Sequence, residues 1–364
     1  MYDTVKRMRE LYDCLQDEQS KNIFLDRLAI DMEPSMTNTI QLCIDGGQTS
    51  QEQQKNWKSV FQQVTDSGKK IVLYGASVVG RDIATALLYE KVDFYGFCDR
   101  TFTSFSNGLM GKPVISPNKL FSHPEKYYVV NALSSFHYAE VEQILQEHNF
   151  PQDHILKFLG APTPNQYFEF PALYRKGTAF LDCGCYDCGD SYKFVDWCKG
   201  AYSKILAFEP DPANISNCED KINASPIANF RLIPMGVSNS SKVVEFGSDG
   251  GATSHIICDE PIAASDSIVK KRITLQLTTI DDVVGEETIG FIKMDIEGAE
   301  FDALHGAKKT IMRDKPLLAI CVYHRPGDTL AFMDYLKEIV PEYRFWLRHY
   351  GSARTETVLY ASVD

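Results

Sequence analysis

The run Phe180-Leu-Asp-Cys-Gly-Cys-Tyr-Asp-Cys-Gly-Asp-Ser191 restricts the fold more than any other stretch of the chain. A short apolar segment ends in Asp182 and Gly184, small residues turn through Gly189, and an amphipathic segment follows, which reads as strand, tight loop, helix. Such a loop brings bare backbone close to a ligand. Twenty positions after Gly189, a second apolar run, Ile205-Leu-Ala-Phe208, ends in Glu209-Pro210. It sets a carboxylate at the tip of the neighbouring parallel strand, the position from which an acid holds a ribose diol. The ligand is therefore expected to carry a ribose, as a dinucleotide or as S-adenosylmethionine. Nicotinamide cofactors call for G-x-G-x-x-G, whose close glycines seat a pyrophosphate on a helix N-terminus. Here the first glycine pair is five apart and an acid precedes it. S-adenosylmethionine has no phosphate and carries an amino group, so the acid favours it.

A chain of 364 residues exceeds the usual size of one domain, and a hydrophobic content of 44% is ample for buried cores. A net charge of −12 argues against a nucleic-acid partner, which needs clustered Lys and Arg. No run of about eighteen apolar residues is present and the N-terminus lacks a signal-peptide core, so no membrane span and a cytoplasmic location are expected. Ten cysteines in such a chain read as free thiols. Cys183, Cys185 and Cys188 form C-x-C-x-x-C, but they fill small-residue positions of the turn and no second Cys/His pair lies nearby. No metal is expected there.

Three segments are expected. Residues 1–67 are polar and helical in pattern, with Met8, Leu11, Leu15, Ile23, Phe24 and Leu28 on one face, suited to a lid or to homo-oligomerisation. Residues 68–160 form a smaller unit. There Lys70-Ile-Val-Leu-Tyr74 is a buried strand, Gly75 to Gly80 a turn, Arg81 to Leu88 a helix, and Val92 to Cys98 a second strand ending at Asp99, a βαβ nucleotide-binding pattern. Together with Gly111-Lys-Pro-Val-Ile-Ser-Pro117 and Tyr127-Tyr-Val-Val-Asn131, it resembles the small Rossmann-like domains of sugar-modifying enzymes. That resemblance implies a nucleotide or nucleotide-sugar pocket at Gly75, Ser77, Gly80 and Asp99, beside the alternative of a scaffold without a ligand. Ala161-Pro-Thr-Pro164 is a plausible linker, and residues 161–364 follow as the catalytic domain.

In that last domain Arg231–Ser238, Lys242–Phe246 and Ile273–Leu277 read as strands, and the Ser248–Ser254 loop is long enough to cover a site. Ile289-Gly-Phe-Ile-Lys-Met-Asp-Ile-Glu-Gly-Ala-Glu300 then carries the second strong signal. The strand period of two points Asp295 and Glu297 the same way at a carboxyl strand end, and Gly298 allows a sharp turn into a helix whose first turn Glu300 supports. Pro316–Tyr323 is a buried strand running into His324, and Tyr343–His349 with Glu356–Tyr360 would make a closing hairpin.

Asp182-x-Gly184, Phe208-Glu-Pro-Asp-Pro212, Leu277-Thr-Thr-Ile-Asp-Asp282, Ile292-Lys-Met-Asp-Ile-Glu-Gly-Ala-Glu300, Lys315-Pro316 and Tyr323-His324 together resemble the FkbM family of S-adenosylmethionine-dependent methyltransferases. The resemblance covers about Thr178 to the C-terminus. It implies an α/β fold with a seven-stranded Rossmann-like methyltransferase sheet, here preceded by the smaller Rossmann-like domain and the helical segment. It also implies methyl transfer to oxygen, often to a hydroxyl of a sugar or natural product. Relative to the family's usual turn, Cys188 is an extra residue before Gly189, so the loop is expected to bulge. Cofactor contacts are expected from Asp182, Gly184, Tyr186, Asp187, Gly189, Ser191, Glu209 and Asp295. The acceptor would be a small molecule or saccharide, whose hydroxyl needs a base. His324 is the first candidate and Asp295 the second; alternatively Asp295, Glu297 and His324 could bind Mg2+ and acidify two sugar hydroxyls. Two other readings stand beside this one: a non-catalytic protein binding a cofactor or nucleotide-sugar, and an NAD-dependent oxidoreductase working through Gly75 to Gly80.

Overall fold

The computed structural model describes residues 2–163, 165–248, 255–256 and 271–363. The chain divides into two compact units, residues 1–20, 165–347 and 358–364 in one, and residues 21–164 and 348–357 in the other. Apart from Ser248, the loop expected to cover the site lies outside the described residues. Among the described residues no helix is long and apolar enough to cross a membrane.

The unit of residues 21–164 and 348–357 holds a parallel sheet of β1 (Lys70–Tyr74), β2 (Gly96–Cys98), β3 (Val114–Ile115) and β4 (Tyr127–Asn131), in the order β3-β2-β1-β4. The helix Val78–Tyr89 connects β1 to β2 as a parallel crossover requires. The strand expected over Val92–Cys98 is confined to Gly96–Cys98, because the Val92 N–H closes the preceding helix on the Leu87 carbonyl (2.9 Å). Trp57, Phe61 and Phe158 pack with Ile71, Leu73, Phe97 and Val130 in the core over this sheet.

The larger sheet has seven strands, β5 (Ala179–Cys183), β6 (Ile205–Phe208), β7 (Phe230–Ile233), β12 (Ile289–Met294), β13 (Leu317–Cys321), β14 (Arg344–His349) and β15 (Thr357–Ser362), in the order β14-β15-β13-β12-β5-β6-β7. The order reverses at β5, and β15 runs antiparallel to β13. A separate four-stranded sheet contains β8 (Gly236–Val237), β9 (Lys242–Ser248), β10 (His255–Ile256) and β11 (Lys271–Thr278). The stretch Arg231–Ser238, expected as one strand, divides between the two sheets at Pro234, which has no N–H for a ladder.

Every residue of β5, β6, β12 and β13 is buried, which explains their near-continuous apolar runs: helices cover both faces of a parallel sheet. Phe291 on β12 lies 5.0 Å from the Phe180 ring centroid, 5.5 Å from Trp197 and 6.0 Å from Phe194, and Phe180 and Phe194 stack at 4.1 Å. This aromatic cluster fixes the helix Gly189–Trp197 against the sheet. Phe291→Ala is expected to lower the unfolding free energy by about 3–5 kcal/mol in a denaturant titration, the usual cost of an aromatic cavity; a loss below about 1 kcal/mol would show that the cluster does not anchor that helix.

Candidate active site

The ladder register brings four strand ends level. Cys183 pairs with Phe208 and with Met294, and Met294 pairs with Ile320, so Gly184, Glu209, Asp295 and the segment leading to His324 all leave the sheet at one carboxyl edge. Ligands of open α/β sheets bind at this edge where the strand order reverses.

A charge that the sequence reading passed over organises it. Lys293 is buried in β12, with Nζ 3.2 Å from Asp182 Oδ1 and 3.5 Å from Asp190 Oδ2, donating to the Gly184 carbonyl at 2.7 Å. Its Nζ also lies 5.1 Å from the centroid of the Tyr167 ring. Burial works against its charge, but Asp182, Asp190 and Asp295 hold its pKa well above the ordinary lysine value. A lysine in the middle of an all-buried strand is itself the signal, since such a charge must be paired.

Asp182 is fully buried and accepts a hydrogen bond from Ser191 Oγ at 2.7 Å, so both residues face each other inside the turn. Gly184, with φ of +77°, runs against the neighbouring strand end, where a Cβ would stand 2.0 Å from the Asp295 carbonyl oxygen. Tyr186 and Cys188 are both left-handed, with φ of 51° and 60°. The extra residue of the turn is thus absorbed by two strained positions. Asp187 Oδ1 accepts the Gly189 N–H at 2.8 Å where the helix starts, and its Oδ2 pairs with Lys221 at 2.9 Å.

Glu209 accepts three hydrogen bonds: Oε2 from the Tyr186 N–H (3.0 Å), Oε1 from the Asp211 N–H (2.9 Å) and from Asn214 Nδ2 (3.3 Å). A carboxylate has about four acceptor positions, so one is left for a ligand. Burial outweighs these donors and pushes its pKa up to about 7.

Beside this turn lies a second constellation. His324 Nε2 is 3.6 Å from Asp295 Oδ1 and 3.7 Å from Glu297 Oε2, while Nδ1 is 3.0 Å from Glu300 Oε1. Strand β12 ends at Met294, so the two acids meet His324 through the turn rather than by strand alternation; Glu297 has a left-handed φ of 56°. Tyr167 and Tyr323 hydroxyls donate to Asp295 at 2.6 and 3.3 Å. Glu300, expected to support its helix, is fully buried and accepts the Ile296 N–H at 2.8 Å while facing His324. Burial lowers the His324 pKa, but Glu300, Glu297 and Asp295 overcome it and raise it to about 10. These carboxylates thus favour the protonated ring of His324. Burial likewise opposes ionisation of Asp295, yet His324, Lys293 and the Tyr167 hydroxyl hold its carboxyl below the usual range. The ligand atoms of Asp295, Glu297 and His324 lie within 4.8 Å of one another. One imidazole nitrogen among the donors is a poor match for Mg2+, which prefers an octahedron of oxygens.

The four residues expected to form an N-terminal pocket also come together, at the carboxyl ends of β1 and β2. Asp99 is occupied by its own loop, with Oδ2 accepting the Ala76 N–H (2.9 Å) and Oδ1 accepting both the N–H and the hydroxyl of Thr101 (2.8 Å each). Ser77 sits at the start of the helix without a side-chain capping bond. Gly75 has φ of +124°, and a Cβ on Gly80 would meet the Gly75 carbonyl oxygen at 2.1 Å, so both glycines serve close helix-to-strand packing.

Residues 182–352 match the methyltransferase FkbM domain family. This is an FkbM-family methyltransferase domain. The FkbM domain holds every residue of the two constellations except Tyr167. The 2-O-methyltransferase NoeI of Sinorhizobium fredii is 26% identical over 156 residues, which make up 39% of this chain; the chain spans 63% of that relative's length. A crystal structure of methyltransferase FkbM from Methylobacillus flagellatus shares the fold, with a TM-score of 0.50 at 18% identity over 94% of this chain and 99% of that one.

Within the FkbM domain, Lys293→Met would leave the fully buried Asp182 without a cation, while Asp190 keeps Lys193 at 3.0 Å. Loss of one partner from a buried pair costs about 3–5 kcal/mol, and that drop is expected in chemical denaturation. Adding Asp182→Asn should recover much of it; a double variant no more stable than the single would show that the pair is not the source.

Proposed function

We propose that the chain is an S-adenosylmethionine-dependent O-methyltransferase acting on a hydroxyl of a saccharide or related natural product. The observation that carries this reading is the level edge at which a ribose-ready acid, Glu209, and a turn of bare backbone at Gly184 stand beside a histidine set among carboxylates. The name of the relative NoeI, a 2-O-methyltransferase, points the same way for the atom methylated. On this reading the catalytic domain, expected over residues 161–364, is the unit that holds residues 165–347 and 358–364.

The residues fit the cofactor. Glu209 keeps one acceptor position for a hydroxyl of the diol, and the turn presents acids rather than the cluster of amides that a pyrophosphate needs. When bound, S-adenosylmethionine supplies a methyl group on an electrophilic sulfonium. The chain's task is then to align the acceptor oxygen and remove its proton. Asp295 and Glu297 bracket Nε2 of His324 and accept hydrogen bonds from neighbouring acceptor hydroxyls. His324, once deprotonated, would take the proton of the reacting hydroxyl at Nε2 and leave that oxygen free to displace the thioether from the methyl carbon. Glu300 keeps the ring oriented through Nδ1. A base whose pKa is raised toward 10 pulls harder on an alcohol proton than an ordinary imidazole, but at neutral pH little of it is in the basic form.

This gives a pH signature. The carboxylates favour the protonated ring, so log kcat/KM is expected to rise by one unit per pH unit from about pH 7 and to level near pH 10, as the free enzyme's base titrates. His324→Gln should lower kcat about 10²–10⁴-fold and remove the slope. A flat wild-type profile over that range would transfer the base role to Asp295, whose carboxylate is ionised throughout.

A further inference from the structure

The turn between β5 and its helix carries a second feature that methyl transfer does not use. Cys185 and Cys188 come from the turn and Cys218 from the helix Pro212–Ala224, and the three sulfurs converge on one point. Cys185 Sγ lies 3.8 Å from Cys218 Sγ and 3.8 Å from Cys188 Sγ, and all three atoms are within 4.8 Å of one another. Their residues are 2%, 0% and 0% exposed, enclosed by Ala207, Tyr192, Phe230 and Leu232. Cys218 Sγ also sits 3.1 Å from the Tyr186 carbonyl oxygen. Cys183, the first cysteine of the C-x-C-x-x-C run, is outside the set, and Cys218 takes its place from 30 residues downstream of Cys188.

Contact between apolar thiols would account for one such pair. It does not explain three donors gathered from two separate segments. The turn that carries Cys185 and Cys188 holds left-handed backbone at Tyr186 and Cys188, neither of them glycine. A zinc–sulfur bond of about 2.3 Å places the sulfurs of a tetrahedral site about 3.8 Å apart. The two short separations here are already that edge. A fourth ligand would come from solvent or from the Tyr186 carbonyl oxygen, which lies 3.1 Å from Cys218 Sγ.

We propose that Cys185, Cys188 and Cys218 bind one thiophilic d10 metal ion of the Zn2+ type. The ion would stitch the turn to the helix Pro212–Ala224, on either side of the Tyr186 N–H that Glu209 holds, and so stiffen the wall of the proposed cofactor site without touching the acceptor. Each thiol gives up its proton to solvent and no electrons are transferred.

The full chain, reduced and stripped with a chelator, is titrated with Zn2+ against a chromophoric competitor and, separately, with Co2+ while the near-ultraviolet thiolate-to-metal band is followed. One ion per chain is expected, with the intensity of three thiolates, and bound Zn2+ should protect the peptides of Cys185, Cys188 and Cys218 from alkylation while leaving Cys14 reactive. Cys218→Ser should weaken Zn2+ by about a hundredfold or more, and Cys183→Ser should leave it unchanged. The absence of stoichiometric uptake by the folded wild type would overturn the proposal. So would protection that does not map to these three cysteines. Both readouts stand even if a variant fails to fold.

Discussion

Lys293 is the group on which the geometry of the edge depends. A single ammonium, buried in the central strand pair, pairs with Asp182 and Asp190 and grips the Gly184 carbonyl, and the backbone of Gly184 in turn abuts Asp295. Burying three charges is costly unless each has its partners. The same requirement makes the turn specific: the strand β5, the first turn of the helix Gly189–Trp197 and the end of β12 must meet at one place for the charges to be satisfied. The aromatic cluster of Phe180, Phe194, Phe291 and Trp197 supplies the apolar burial that carries this arrangement on the covered face of the sheet.

The second constellation takes its character from an excess of negative charge. Three carboxylates around one imidazole hold a proton there, and the two tyrosine hydroxyls on Asp295 stabilise its ionised form. On the proposed function the arrangement would serve polyhydroxylated acceptors, because several acceptors of hydrogen bonds surround the proposed base. It also separates the tasks of neighbouring residues: Glu300 is buried and orients the ring, whereas Asp295 and Glu297 remain partly open, with side chains 23% and 29% exposed.

Much of this was legible in the sequence, for physical reasons that differ from residue to residue. Strand, turn and helix around Gly184 follow from an apolar run broken by small residues, and the acids at Glu209 and Asp295 stand out because each ends such a run. The level carboxyl edge was accessible because parallel strands with short turns leave no other place for those acids. What escaped was decided by tertiary contact. Tyr167 lies outside any motif and reaches Asp295 across 128 positions. Cys218 joins Cys185 and Cys188 only because its helix packs on the turn, so spacing along the chain pointed to Cys183 instead. Lys293 was visible as a charge inside a buried strand, and its partners could have been sought among the nearby acids. The pKa of His324 could not be read from its own residue, since Glu300, Glu297 and Asp295 set it through space.

The central claim is that this edge is a S-adenosylmethionine site closed by Glu209, and calorimetric titration of the cofactor at pH 6 and pH 8 tests it most directly. A diol donates its hydrogen bonds and so prefers the ionised carboxylate; with Glu209 held near pH 7, binding should be tighter at pH 8 and should release a proton to the buffer at pH 6. Glu209→Gln should weaken binding about 10–100-fold, the worth of a hydrogen bond to a charged group, and abolish the pH dependence. A folded wild type that does not bind, or a variant that binds with the wild-type affinity and pH dependence, would contradict the account.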